Sequence, residues 1–193
     1  MNEVEIKFAV ADVSAMLLAL ERAGFREVTK STPETNTIYD RADGSLRAAG
    51  ELLRLREYGD RWTLTYKGAA VAGARHKTRR EIETAVEDGA AMHEVLLSLG
   101  YGPKFRYEKL RSEFAREGQA GHVVVDRTPI GDFGEIEGDA AWIDAVAAEL
   151  GVKESKYINA SYARLFEAWR ERTGSTAREM TWAATGGIPP VIL

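Results

Sequence analysis

Like charges spaced two residues apart recur along this sequence. Glu3-Val4-Glu5-Ile6-Lys7, Glu81-Ile82-Glu83 and Glu135-Ile136-Glu137 set carboxylates around an apolar residue. Arg54-Leu55-Arg56 and Lys109-Leu110-Arg111 do the same with cations, and Lys67, Arg79 and Asp126 sit at the same parity in their own segments. Carboxylates are hard oxygen donors suited to Mg²⁺ or Mn²⁺. Arginine forks and lysines suit phosphate oxygens. There is no cysteine, and His76, His93 and His122 are scattered without ligand-like spacing. Any bound metal should therefore be held by oxygen.

A spacing of two is the repeat of a β-strand, so each pair projects from one face. In the first segment Glu3, Glu5 and Lys7 face one way, and Val4, Ile6 and Phe8 the other. Period-two stretches at about 2–10, 36–41, 51–58, 61–68, 77–86, 104–116, 121–127 and 133–138 predict eight strands. Asp12–Ala23, Asp88–Leu99, Ala140–Leu150 and Asn159–Arg172 predict helices, each with a glycine at or just past its end. Three times a carboxylate pair on a strand leads into a helix with a glycine stop.

One such pair is ordinarily the solvated face of an antiparallel sheet. Six strands with patterned charge favour another arrangement. The fold class expected is α+β: a closed or nearly closed eight-stranded antiparallel β-barrel with helices packed outside. Its charged faces then line an interior that is costly unless compensated. A polyanion accompanied by divalent cations would compensate it.

Residues 1–173 are expected to form this domain and 174–193 a tail. Gly186-Gly187 and Pro189-Pro190 argue against regular structure in the tail, although Trp182, Val191, Ile192 and Leu193 are apolar enough to dock. Trp62, Trp142 and Trp169 read as packing residues, and Tyr39 and Tyr162 as structural. A net charge of -4 gives no reason to expect nucleic-acid binding. No apolar run is long enough to span a bilayer and no signal peptide is visible, so a cytoplasmic location is the expectation.

Several segments together resemble a known family. Glu3-x-Glu5-x-Lys7, Tyr39-Asp40, Leu53-Arg54-Leu55-Arg56, Leu64-Thr65-Tyr66-Lys67-Gly68, Arg79-x-Glu81-x-Glu83, Lys109-x-Arg111-x-x-Phe114, Asp126, Gly134-Glu135-x-Glu137 and Ser161-Tyr162 are similar, in order and spacing, to the CYTH superfamily of triphosphate tunnel metalloenzymes. The resemblance covers about residues 1–170. It implies an eight-stranded tunnel, two Mg²⁺ or Mn²⁺ ions, and a small-molecule triphosphate as substrate. It makes Glu3, Glu5, Glu135 and Glu137 metal ligands, with Asp126 beside them. Lys7, Arg54, Arg56, Lys67, Arg79, Lys109 and Arg111 become triphosphate contacts, and Glu81 or Glu83 orients water as a general base. Family members are often dimers, so a homodimer is left open. Two features depart from the pattern. Asn159-Ala160 stand where a basic residue often precedes the late Ser-Tyr, and Lys156 lies further back. The His-Phe that the best-studied class IV adenylate cyclases carry before the first Glu pair is not in this sequence.

The expected function is divalent-metal-dependent hydrolysis of a triphosphate, inorganic or organic, thiamine triphosphate being one example. The alternative is cyclisation of ATP to cAMP and pyrophosphate in the same cradle. A third reading is a non-catalytic polyphosphate-binding module. It accounts poorly for the carboxylates, which pure anion binding does not need.

Overall fold

The computed structural model describes residues 2–71, 73 and 76–190. Eight strands carry the charged pairs: β1 (Asn2–Val10), β2 (Arg26–Asp40), β3 (Leu52–Tyr58), β4 (Arg61–Lys67), β5 (Lys77–Val86), β6 (Gly102–Ala115), β7 (His122–Thr128) and β8 (Gly131–Glu137). Every neighbour is antiparallel, and the order β1-β5-β4-β3-β2-β6-β7-β8 closes on itself as a barrel. Among the described residues six α-helices decorate it: α1 (Val13–Arg22), α2 (Ser45–Ala48), α3 (Gly89–Ser98), α4 (Ala140–Glu149), α5 (Tyr162–Thr173) and α6 (Trp182–Thr185).

The helix starts follow from side-chain capping. Asp12, Asp88, Asp139 and Ser161 each accept a backbone N–H of the first turn, satisfying a donor that the helix itself cannot. The apolar half of the strand alternation packs outward. Ile6, Phe8, Val123, Val125 and Ile136 meet Leu20 of α1 and Ile143 and Val146 of α4 in the largest core cluster. Gly134 is required there, because the Phe8 ring lies where its Cβ would be. Closure therefore buries both faces of β1: Ile6 is 1% exposed and Lys7 4%.

Strand β2 is much longer than the expected 36–41. Register shifts between Glu27 and Thr29, and between Thr29 and Thr32, break the alternation, and Pro33 interrupts the pattern further. Helix α5 begins at Tyr162 rather than Asn159, with Ser161 as its cap. The short helices α2 and α6 have too few turns to leave a periodic signal.

The tail docks on β6. That strand pairs with β7 only from Leu110 to Ala115, so its edge at Arg106–Glu108 would otherwise be bare. Met180 supplies the missing partner: its N–H donates to the Arg106 carbonyl and its carbonyl accepts the Glu108 N–H, both at 3.0 Å. Met180 is fully buried against Tyr107, Tyr162 and Phe166. Val191, Ile192 and Leu193, expected to dock, lie outside the described residues. Among the described residues, no helix is long and apolar enough to cross a membrane.

Candidate functional site: a charged tunnel

The inward half of the alternation lines a cavity of about 1220 Å³ running through the barrel. Glu3, Glu5 and Lys7 reach it from β1, Arg54 and Arg56 from β3, and Lys67 from β4. Arg79, Glu81 and Glu83 come from β5, Lys109 and Arg111 from β6, and Glu135 and Glu137 from β8. The structure thus brings together thirteen of the fourteen residues expected at the site. Asp126 is the exception. It is fully buried behind the wall, and its carboxylate accepts Lys109 Nζ at 2.8 Å, Arg111 Nε and Nη2 at 2.7 Å, and the Tyr162 hydroxyl at 2.7 Å. Its oxygens accept these donors and so hold the cations of the wall in place.

The interior charges pair across strands. Lys67 Nζ lies 2.5 Å from Glu3 and 3.1 Å from Glu81. Lys7 lies 2.9 Å from Glu135, which also accepts Arg111 at 2.6 Å. Glu83 accepts Arg56 at 3.2 Å and Thr65 at 2.9 Å. These pairs follow from register. Lys67 stands opposite Glu81, Thr65 opposite Glu83, and Lys7 opposite Glu135.

Environment separates the carboxylates. Burial and Glu135 push Glu5 upward, but Lys77, Lys7 and Lys67 outweigh them and hold it at about 2. Burial likewise raises Glu135, and Lys7, Arg111 and Lys109 bring it well below the usual range. Glu137 goes the other way. Burial, then the nearby Glu3 and Glu5 charges, push it up to about 7. Glu137 therefore sits beside Glu3 and Glu5 with more negative charge around it than the nearby cations offset. That is the environment a hard divalent cation relieves, so these residues fit Mg²⁺ or Mn²⁺. Glu135 is engaged by two cations, Lys7 and Arg111, as Glu3 is by Lys67 and Arg79. Among the described residues, no three acidic or histidine side chains yet converge closely enough to grip an ion.

Some interior residues escaped the sequence reading. Lys77 shares the parity of Arg79, lines the cavity and pairs with Glu5 at 2.5 Å. Burial, then Lys7 and Arg79, lower its pKa while Glu5 opposes them. Its signal was visible two positions before Arg79. Glu34 and Asn36 lie on β2. Glu34 is 1% exposed, accepts Asn36 Nδ2 at 2.8 Å and lies 3.3 Å from Lys109. Glu34 falls before the expected start of its strand. His122 also reaches the cavity, its Nε2 lying 3.4 Å from Glu137.

Comparison with known proteins agrees with this geometry. A protein of Methanocaldococcus jannaschii, provisionally named an adenylate cyclase, is 31% identical over 117 residues, 61% of this chain and 66% of that protein. A solved structure from Pyrococcus horikoshii superposes with a TM-score of 0.70 at 26% identity, covering 86% of this chain and 98% of that one. A protein from Hippeastrum, provisionally named an adenylyl cyclase and described as having a dominant triphosphatase activity, shares the fold with a TM-score of 0.65 at 19% identity, over 86% of this chain and 95% of its own. The CYTH domain family model matches residues 1–162, the entire barrel included, and the chain belongs to that family.

Proposed function

We propose that this tunnel binds a triphosphate with divalent cations and hydrolyses it. The observation that supports the reading best is one cavity walled by both kinds of group a metal–triphosphate complex needs. Arg54 and Arg56 on β3 and Lys109 and Arg111 on β6 flank β2, with the crowded Glu3, Glu5 and Glu137 on β1 and β8. Arginine forks on β3 would meet phosphate oxygens two at a time, and Lys7 and Lys109 would add point charges. Glu3, Glu5 and Glu137 would hold the cations. When bound, these ions screen repulsion between phosphates and lower the pKa of water.

The reaction is an in-line displacement. Water attacks the terminal phosphorus, its proton passes to a carboxylate, and the bridging P–O bond breaks to give orthophosphate and the remaining diphosphate, which is pyrophosphate when the substrate is inorganic. Glu81 and Glu83 are the candidate bases. Glu83 is held by Arg56 and Thr65, and Glu81 lies beside Lys67. Arg54 and Lys67 would stabilise the charge that develops on the transferring group and the leaving group. Of the cavity's serine and histidine, Ser161 caps α5 and His122 faces Glu137, so neither suggests a covalent route.

The name of the M. jannaschii relative favours a second reading, cyclisation of ATP through its ribose hydroxyl. A product assay separates the two. Purified protein with Mg²⁺ or Mn²⁺ is given inorganic triphosphate, thiamine triphosphate or ATP, and orthophosphate, pyrophosphate and cAMP are resolved. Orthophosphate from a triphosphate without cAMP from ATP is the expected result. Formation of cAMP with pyrophosphate would replace hydrolysis by cyclisation. Tight triphosphate binding with no product would leave a binding module.

A further inference from the structure

Tyr162 reads from sequence as structural, yet it is the first residue of α5, lines the tunnel and is 7% exposed. Lys7 Nζ lies 4.3 Å from its ring centroid and Lys109 Nζ 5.1 Å, both within cation–π range. Its hydroxyl donates to Asp126, the same carboxylate that holds Lys109 and Arg111. One side chain therefore reaches two cations directly and a third through a shared acceptor. The ring itself cannot drift. Tyr107 lies tilted beside it at 5.6 Å, Phe133 meets it edge-on at 5.7 Å, and the Ile158 N–H, four residues earlier, donates to the Lys7 carbonyl at 2.7 Å.

A lysine has long, freely rotating side-chain bonds, and holding its ammonium in one place costs entropy. Two ammoniums held close together also repel. A ring face carries negative electrostatic potential and can hold both without neutralising either. A carboxylate would hold them too, but it would compete with an incoming anion for their charge. Here Lys7 has both kinds of partner, Glu135 at 2.9 Å and the ring. When an anion displaces Glu135, the ring contact can persist.

We infer that Tyr162 is a positioning residue: its ring fixes the Lys7 and Lys109 ammoniums for an anionic phosphate chain, and its hydroxyl orients the Asp126 carboxylate behind them. This inference rests on the triphosphate reading of the tunnel for its ligand but not for its geometry.

The test separates ring electrostatics from ring shape. Tyr162 is replaced by phenylalanine, by pentafluorophenylalanine and, as Tyr162→Leu, by an aliphatic residue. Binding of imidotriphosphate, which resists hydrolysis, is followed by calorimetry. Tyr162→Phe keeps the ring and should bind within about threefold of the parent. The fluorinated ring has a similar outline but a reversed quadrupole, and should bind about tenfold more weakly or worse. Tyr162→Leu should resemble it. A purely space-filling role predicts that the phenylalanine and fluorinated variants bind alike, and that result overturns the inference. Should Tyr162→Leu not fold, the two aromatic variants still decide. A second readout needs no ligand: ring currents should move the εCH₂ proton signals of Lys7 and Lys109 upfield in the parent protein and in Tyr162→Phe. Their absence from the parent spectrum overturns the inference. Shifted lysine signals in a protein that binds no triphosphate would instead refute the proposed function and leave the positioning role standing.

Discussion

Replacing Glu34 by glutamine should destabilise the protein without weakening its hold on a polyanion. Glu34 is 1% exposed, with Lys109 at 3.3 Å and Arg111 at 3.7 Å. Burial pushes its carboxyl up, but Lys109, Arg111, Arg54 and Arg56 prevail and bring it from 4.5 to about 2. A folded-state value below the unfolded one means that the ionised group stabilises the fold above pH 4.5. That contribution is lost as pH falls toward 2. A gap of this size corresponds to about 3 kcal/mol at pH 7. Glutamine keeps the shape and removes the charge, so Glu34→Gln should lose about that much stability in urea unfolding at pH 7. At low pH the parent's own Glu34 becomes neutral, so the two proteins should converge, the gap shrinking by roughly 2 kcal/mol between pH 7 and pH 3. In the same variant Lys109 and Arg111 lose a competing anion. The stabilisation conferred by tripolyphosphate with Mg²⁺ should then be at least as large as in the parent. A gap that stays constant with pH would show that Glu34 acts through shape or hydrogen bonding. No loss at pH 7 would refute the charge argument altogether.

Binding of Mg²⁺ or Mn²⁺ near pH 7 should release protons, because Glu137 sits at about 7 through burial and the charges of Glu3 and Glu5. In weak buffer with an indicator dye, the release should vanish above about pH 8.5 and in Glu137→Gln. Gly134→Ala should cost about 1–3 kcal/mol in thermal unfolding, since the added methyl runs into the Phe8 ring, and part of the loss should return when Phe8→Leu is added. Removing residues 174–193 should cost about 3 kcal/mol, because it strips the buried Met180 from β6. The Glu108 amide, which donates to the Met180 carbonyl, should then exchange with solvent much faster than amides of β7.

Parity made most of the tunnel legible, because a strand's side-chain period admits only two faces and a closed barrel makes one of them interior. Lys7, Arg54, Arg56 and Glu135 reach the cavity for that reason alone. The same rule could not place Asp126. Parity says which face a residue is on, not whether its oxygens are already engaged, and four hydrogen bonds from three residues engage them here. Glu34 was hidden by irregularity, since the register shifts of β2 occur just before it. The docking of Met180 was invisible for another reason. It depends on β6 outlasting β7, a difference in length between strands that no local pattern records.

The tunnel's electrostatics bear on how it could take up its ligand. Eight cations of its wall, Lys77 included, each have a carboxylate within ion-pair distance. A bare polyanion entering this space would gain the cations but face the carboxylates they leave behind. Divalent cations alone would meet the opposite difficulty. A polyanion bringing its own divalent cations is closer to neutral, and it can exchange partners with both halves of the wall at once. The lysines and arginines turn to phosphate, and the crowded carboxylates around Glu137 turn to metal. Metal and triphosphate should therefore strengthen each other's binding by the same factor, as linkage requires. The internal ion pairs hold the wall's charges ready in the resting protein, and their mutual satisfaction disfavours either component arriving by itself.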